Sequence, residues 1–284
     1  MKRYGFVGTV ALIALLTSGC WPLLEPEGAA PLRYRDETFT AVTKTADVTY
    51  GSAANIAGQT VTLKLDVYSP TGDTTTSRPA MIWVHGGSFS SGTKTSPELV
   101  DQANVLAKKG FVNFSISYRL EPGGCSASAP TGNCVTAIVH AMEDAQTAVR
   151  FVKANAAAYG IDPNRVGIGG SSAGAITAMN VAYKTGETPA AAVRAGVSLS
   201  GANLLGAYDA NDAPTFLMHN TTDPLVPYQW ALNTEAGAKG AGTYVWLTKW
   251  EGTGHVPYGA HRQEILDQTA NFLYHAMDLA HAPR

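Results

Sequence analysis

The chain has 284 residues, of which 45% are hydrophobic and 15% are charged, and its formal net charge is −2. Such a composition can bury a full core, which excludes an intrinsically disordered chain and a very small fold held together by disulfides. The charges form no basic stripe, so we expect no nucleic-acid partner.

The first 19 residues have the pattern of an export signal. Two basic residues are followed by an apolar run over residues 7–16, which is too short to span a bilayer as a mature helix. Residues 16–20, with the sequence LTSGC, resemble a bacterial lipoprotein signal, although Thr17 replaces the usual aliphatic residue. The resemblance implies an exported protein, either secreted or anchored to a membrane through lipid on Cys20. The alternative is an ordinary signal peptide in which Cys20 is removed or has no role.

Residues 20–37 are rich in Pro, Glu and Ala, and we expect them to form a tether between the anchor and the domain. The domain itself is predicted to cover residues 38–284. Two stretches of alternating polarity, residues 46–50 and 61–68, predict antiparallel strands at its start.

Strands and helices alternate along the rest of the chain. Further strands are predicted at residues 80–84, 111–118, 165–169, 195–199, 215–219 and 244–249. Helices are predicted at residues 99–109, 138–158, 173–183 and 261–280. This alternation indicates an α/β fold with a mostly parallel sheet, helices on both faces and antiparallel strands at the N-terminal edge.

Cys125 and Cys134 are the two cysteines left if Cys20 carries lipid. Export to an oxidising compartment favours a disulfide between them. Two free thiols or a metal site are the alternatives, and the metal site is disfavoured because no histidine or second cysteine pair lies nearby at ligand spacing. We therefore predict the disulfide and no bound metal.

A G-x-S-x-G motif at residues 170–174 stands between a predicted strand and a predicted helix. In that setting the serine occupies a sharp turn that exposes its hydroxyl, and the following helix directs backbone N–H groups at the reacting centre. Ser172 is the candidate nucleophile, while Ser171 is one position out of frame. Taken alone, the motif would also fit an ordinary loop in a chain rich in Gly and Ser.

The segment His85-Gly86-Gly87-Ser88 follows directly after the strand at residues 80–84. The two motifs together resemble the esterase and lipase branch of the α/β-hydrolase family, near the hormone-sensitive-lipase-like and type-B carboxylesterase groups. That branch carries H-G-G-G, so the resemblance implies an oxyanion hole from the backbone N–H groups of Gly87, Ser88 and Ala173. Ser88 replaces the third glycine but keeps an N–H group. The alternative is a tight turn that needs only flexibility, and His85 is expected to be structural.

The resemblance also implies the chain order of nucleophile, acid and histidine. Asp223 follows the strand at residues 215–219 and is the candidate acid, with a simple turn residue as the alternative. His255 stands between the last strand and the last helix and is the candidate base. The residues of the same types that we consider weaker are Asp209, Asp212, His261, His275 and His281.

These residues predict a serine carboxylesterase that hydrolyses short-chain acyl, aryl or sugar-linked esters through an acyl-enzyme, without a cofactor. The substrate would be a small-molecule or polymer-linked ester, and contact with a membrane would occur only through the lipid anchor at Cys20. Because only residues 200–214 separate two strands between which many relatives insert a lid, we expect little or no lid. The alternatives are a serine peptidase or amidase on the same fold and a non-catalytic envelope lipoprotein that binds a ligand.

Overall fold

The computed structural model of the chain describes residues 20–125, 132–184 and 188–283. The predicted export signal at residues 1–19 lies outside the described residues and stays a prediction. Among the described residues, no helix combines the length and the apolar character needed to cross a membrane.

The described residues form one sheet of eight strands. The strands are β1 (Val42–Ala54), β2 (Thr60–Pro70), β3 (Arg78–Val84), β4 (Val112–Ser117), β5 (Ile161–Ser171), β6 (Ala195–Leu199), β7 (Thr215–Thr222) and β8 (Val245–Thr253). Their order in the sheet is β1-β2-β4-β3-β5-β6-β7-β8. β2 runs antiparallel to β1 and β4, and the other neighbours are parallel. The predicted architecture of a mostly parallel sheet with an antiparallel N-terminal edge is confirmed.

Helices cover both faces of this sheet. They are α1 (Pro97–Lys108), α2 (Gly132–Ala154), α3 (Ala156–Tyr159), α4 (Ala173–Ala182), α5 (Tyr228–Ala241) and α6 (Tyr258–Ala276). Successive side chains of a strand point to opposite faces. In β3, Ile82 accordingly packs in the cluster that contains α2 and α4 residues, while Met81 and Trp83 pack in the cluster that contains α1 and α6 residues. Burial on both sides explains why residues 80–84 of β3 form a continuous apolar run.

The helices differ from their predicted bounds, and one was missed. The differences are small for α1 and α4, whereas α6 covers Tyr258–Ala276 rather than residues 261–280. α2 begins at Gly132 rather than at residue 138, and the predicted helix breaks at Asn155, whose side-chain Nδ2 donates to the Phe151 carbonyl at 2.8 Å. No helix was predicted for α5, which begins after Pro227 and ends at Gly242 with a left-handed φ of 81°. Glycine is the usual residue at such a helix end because it adopts positive φ without a steric cost.

The segment at residues 20–37 packs against the domain, which differs from the expected tether. The Trp21 ring stacks on Tyr244 with centroids 3.9 Å apart. Tyr34 is fully buried, and its hydroxyl donates to the Pro283 carbonyl at 2.7 Å. The two aromatic rings bury apolar surface and hold this proline-rich segment against the core. The division of the chain into residues 1–19, 20–37 and 38–284 stays a prediction.

Residues 200–214 connect β6 to β7 as an irregular loop without a helix. No lid domain is inserted there, in agreement with the expected fold. The C-terminal ends of the central parallel strands therefore open directly to the solvent side of the sheet, where ligand sites form in open α/β folds.

Candidate active site

The predicted nucleophile Ser172 occupies the turn between β5 and α4. Its backbone has φ 54° and ψ −122°, a combination that is rare for a residue with a side chain. A Cβ atom placed on Gly170 would lie 2.5 Å from the Val84 carbonyl oxygen, and one on Gly174 would lie 1.9 Å from the same atom. Real Cβ atoms do not approach so closely, so the strand and the helix can meet at this turn only if both positions are glycine. The G-x-S-x-G spacing thus follows from packing against β3.

The structure brings Ser172, His255 and Asp223 together in one chain of hydrogen bonds. The Ser172 hydroxyl lies 2.6 Å from His255 Nε2, and His255 Nδ1 lies 2.8 Å from Asp223 Oδ2. An ionised carboxylate only accepts hydrogen bonds, so Nδ1 carries the proton and Nε2 is free to accept the proton of the serine hydroxyl. This is the tautomer that a histidine base requires.

The Asp223 carboxylate is fully buried, and it accepts several hydrogen bonds. Burial by itself would raise its pKa. Hydrogen bonds from the His219 and His255 side chains and from the backbone N–H groups of Leu225 and Val226 outweigh burial and hold the pKa of Asp223 well below its usual range. The two backbone bonds to Oδ1 measure 2.9 and 3.0 Å. Asp223 is therefore ionised at neutral pH, and its geometry is fixed by its own turn.

The weaker candidates lie elsewhere. Asp212 accepts the backbone N–H of Asp209 at 2.7 Å, so these two carboxylates belong to a turn that precedes β7. The His261 ring stacks on Trp250 with centroids 4.2 Å apart. The Ser171 hydroxyl donates to Glu98 at 2.7 Å, away from His255. Of the last two weaker candidates, His275 contacts the Leu24 carbonyl and His281 contacts the Asp278 carboxylate.

The predicted oxyanion-hole residues lie beside Ser172. Gly87, Ser88 and Phe89 have positive φ values of 114°, 51° and 62°. A Cβ on Gly87 would lie 2.2 Å from the Ser91 carbonyl oxygen, so this position requires glycine, whereas Ser88 adopts its left-handed conformation with a side chain. Across the part of the chain that the structure describes, the N–H groups of Gly87, Ser88 and Ala173 donate to no protein acceptor. They remain available to a ligand, as an oxyanion hole requires.

His85 is buried behind this loop and serves it structurally. Its Nδ1 lies 2.7 Å from the Gly86 carbonyl oxygen, and its ring stacks on Tyr118 with centroids 4.4 Å apart. Burial lowers the pKa of His85 to about 4, so the ring is neutral at physiological pH, with Nδ1 as the donor. The expected structural role agrees with this position.

A short loop supports the Ser88 segment from outside. The Cys125 N–H donates to the Ser88 carbonyl at 2.8 Å, and the Glu121 N–H donates to the Phe89 carbonyl at 2.8 Å. The predicted disulfide is present, and it joins Cys125 to Cys134 in the first turn of α2. The cross-link therefore ties the loop that holds Ser88 to a helix of the core.

An apolar cavity of about 270 Å³ opens beside Ser172. Its walls include the disulfide, the β6–β7 loop and α5, and no charged side chain is among them in the described part of the chain. The lining residues are Ser88, Phe89, Cys125, Cys134, Val135, Ile138, Ser172, Ala173, Ile176, Leu204, Leu205, Leu225, Val226 and Trp230. The described residues contain no cluster of three or more His, Cys, Asp or Glu side chains that could hold a metal ion.

Comparison with known families agrees with this geometry. The family model described as BD-FAE matches residues 65–193, and the model described as phospholipase/carboxylesterase matches residues 137–275. Each model covers just under half of the chain, and both matches support the α/β-hydrolase fold and the esterase and lipase branch that the motifs resemble. Between them, the two matches cover the HGGS segment, the G-x-S-x-G turn, Asp223 and His255.

The curated relatives of this α/β-hydrolase are much longer proteins. Phenmedipham hydrolase of Pseudarthrobacter oxydans is 35% identical over 114 residues, which are 40% of this chain and 21% of that protein. Carboxylesterase 3B of Mus musculus is 38% identical over 113 residues, which are 39% of this chain and 19% of that protein. The chain thus matches about a fifth of the length of these relatives.

Solved structures resemble this α/β-hydrolase over most of its length. Thermogutta terrifontis esterase 2 has a TM-score of 0.65 and 21% identity, covering 86% of this chain and 95% of that one. A truncated carbohydrate esterase from gut microbiota has a TM-score of 0.62 and 19% identity, covering 85% and 98%. At such identities the likeness shows the shared fold.

Proposed function

We propose that this α/β-hydrolase is a serine carboxylesterase with Ser172 as nucleophile, His255 as base and Asp223 as acid. The observation that carries the proposal is the hydrogen-bonded chain from Ser172 Oγ through His255 to Asp223, with steps of 2.6 and 2.8 Å. The names of the matched relatives support it, since they include a phenmedipham hydrolase, a carboxylesterase and a fumonisin B1 esterase.

In the acylation step, Ser172 Oγ attacks the ester carbonyl carbon while His255 Nε2 takes the hydroxyl proton. Asp223 holds Nδ1–H and stabilises the imidazolium that forms. The carbonyl oxygen becomes an oxyanion and accepts hydrogen bonds from the N–H groups of Gly87, Ser88 and Ala173. In other enzymes, removing one such donor costs about 3–4 kcal/mol of transition-state stabilisation.

Collapse of this tetrahedral intermediate breaks the bond to the alcohol oxygen. The His255 imidazolium returns its proton to the leaving alcohol, and the acyl group stays on Ser172. Water then repeats the sequence, giving a proton to His255 and its oxygen to the acyl carbon, and Ser172 Oγ is released with that proton. No cofactor takes part in either half.

The cavity beside Ser172 favours an uncharged, apolar group on one side of the ester. An apolar cavity of about 150 Å³ holds a benzene molecule. A cavity of about 270 Å³ therefore has room for a substituted aromatic ring or a short to medium acyl chain. The similar Thermogutta esterase 2 has been solved with propionate and with butyrate bound, which supports a short acyl group. The other side of the ester, outside this cavity, would be an aryl, sugar-linked or polymer-linked alcohol.

We also propose that the protein is exported and that lipid on Cys20 anchors it to a membrane. The Cys20 thiol is free and exposed, as a modified residue must be. Cys20→Ala should move the protein from the membrane fraction to the soluble exported fraction. Unchanged membrane association of C20A would contradict the anchor.

The activity is tested by comparing p-nitrophenyl butyrate with p-nitrophenyl hemisuccinate and with butyryl p-nitroanilide. We expect hydrolysis of the butyrate ester to exceed the other two by at least tenfold, since the cavity offers no partner for a carboxylate and an anilide is a poorer leaving group. S172A should fall to the uncatalysed rate.

Ser171→Ala is the matched control, because it removes a neighbouring hydroxyl that donates to Glu98 rather than to His255. S171A should stay within about threefold of the wild type. Turnover by S172A above background would contradict the proposal. Equal rates on the ester and the anilide would favour an amidase or peptidase, and a folded protein with no turnover on any of these would favour ligand binding.

A further inference from the structure

The loop that carries His255 has a backbone that its own sequence does not favour. Val256, directly after the histidine, has a φ of 50°, and Gly254, directly before it, has a φ of 131°. Positive φ is tolerated by glycine but is an outlier for a β-branched residue such as valine. Contacts from outside the loop must therefore impose this conformation.

Two buried polar side chains supply those contacts, one on each side of His255. Ser200 Oγ accepts the Val256 N–H at 3.1 Å, and Asn220 Nδ2 donates to the Gly254 carbonyl at 2.9 Å. Ser200 is fully buried and Asn220 is 5% exposed. Hydrogen bonds thus hold the main chain immediately before and immediately after the candidate base.

Both side chains are anchored by the central sheet. Ser200 follows directly after β6, and its N–H donates to the Met218 carbonyl of β7 at 2.9 Å. Asn220 lies within β7, and its carbonyl oxygen accepts the Asp223 N–H at 3.4 Å. Asn220 therefore connects the turn of the candidate acid to the loop of the candidate base.

We infer that Ser200 and Asn220 are positioning residues that clamp the backbone on either side of His255, so that its Nε2 meets Ser172 while its Nδ1 faces Asp223. The inference rests on the proposed function, in which His255 is the base. Neither residue touches the reacting atoms, and neither lines the apolar cavity. Their loss should therefore lower kcat and leave KM nearly unchanged, because substrate binding does not depend on them.

The size of the effect follows from how steeply catalysis depends on geometry. Without the Ser200 hydroxyl, Val256 can relax toward negative φ, which turns His255 away from Ser172. A misplacement of about 1 Å can cost about 100-fold in rate. We expect kcat for p-nitrophenyl butyrate to fall about 10- to 100-fold in S200A and in N220A.

Ser198→Ala is the matched control for S200A. Ser198 lies two residues earlier on β6, is fully buried, and its Oγ has no hydrogen-bond partner in the described part of the chain. S198A removes the same kind of atom two residues away, on β6 itself, and does not touch the His255 loop. It should keep kcat within about twofold of the wild type.

Two further measurements separate positioning from general damage to the fold. The low-field proton resonance of His255 Nδ1–H should broaden or shift in S200A and N220A but not in S198A. Val256→Asn in the S200A background should recover part of the lost kcat, because asparagine enters the left-handed region more readily than valine.

The inference is overturned if folded S200A and N220A turn over like S198A, or if they raise KM without lowering kcat. Its failure differs from failure of the proposed function. If only the positioning inference fails, S172A is inactive while S200A keeps its activity. If the proposed function fails, S172A itself keeps its activity.

Discussion

His85 makes the stability of the protein depend on pH in a way that one substitution can reveal. The ring is fully buried, and its Nε2 has no hydrogen-bond partner among the described residues. Burial lowers its pKa to about 4, whereas an unfolded histidine titrates near about 6.5. As the pH falls below about 6.5, the unfolded chain binds a proton at this position and the folded chain does not. Stability is therefore complete above that pH and is lost progressively down to about pH 4.

The magnitude follows from these two pKa values. One pKa unit corresponds to about 1.36 kcal/mol. Between pH 7.5 and pH 4.5, the proton bound by the unfolded chain alone should lower the free energy of unfolding by about 2.5 kcal/mol. Below about pH 4 the folded protein also binds the proton, and the loss should level off.

Urea unfolding of the wild type and of His85→Asn, at both pH values, measures this contribution. Asparagine does not titrate, and its Nδ2 can donate to the Gly86 carbonyl in place of Nδ1. The difference at pH 7.5 gives the packing cost of the substitution. The further change at pH 4.5 should favour H85N by about 2.5 kcal/mol. Parallel pH dependence in the two proteins would refute the reasoning.

Three further perturbations have expected outcomes. Asp223→Asn should lower kcat for ester hydrolysis about 10³- to 10⁴-fold, because an amide donor facing His255 Nδ1 favours the wrong tautomer. Ester turnover by D223N near the wild-type rate would point to another acid. Replacing Cys125 and Cys134 by serine opens a loop with a sequence separation of 9 and should lower the free energy of unfolding by about 2.5 kcal/mol, with an unchanged thermal midpoint as the contrary result. Gly174→Ala forces a Cβ within 1.9 Å of the Val84 carbonyl and should yield little folded protein on expression; soluble, active G174A would show that the turn can shift.

The sequence alone was sufficient to predict the candidate site residues that belong to local motifs. Ser172 lies in a turn that needs glycine on both sides, and the order of acid and histidine after it is a property of the chain. The strands were predictable because burial on both faces removes polar residues from them, as in β3. The structure places these elements as expected and brings the three side chains within hydrogen-bond distance.

The rest depended on contacts between distant segments. α5 has glycines at positions 237 and 240 and lacks a clear apolar stripe, so its sequence did not predict a helix, yet its Trp230 lines the cavity. Ser200 follows β6 and Asn220 lies near the end of β7. In the sequence neither differs from an ordinary polar residue, and their contacts appear only once the His255 loop lies against them. Residues 20–37 looked like a tether because composition does not reveal that Trp21 stacks on Tyr244.

The central claim is that Ser172 is an activated nucleophile, and covalent labelling tests it most directly. The purified protein is treated with a fluorophosphonate probe, digested, and examined by mass spectrometry. We expect stoichiometric labelling on Ser172 in the wild type and in S171A, and none in S172A or in His255→Ala. Absence of labelling in the folded wild type, or a label on Ser171, would contradict the account.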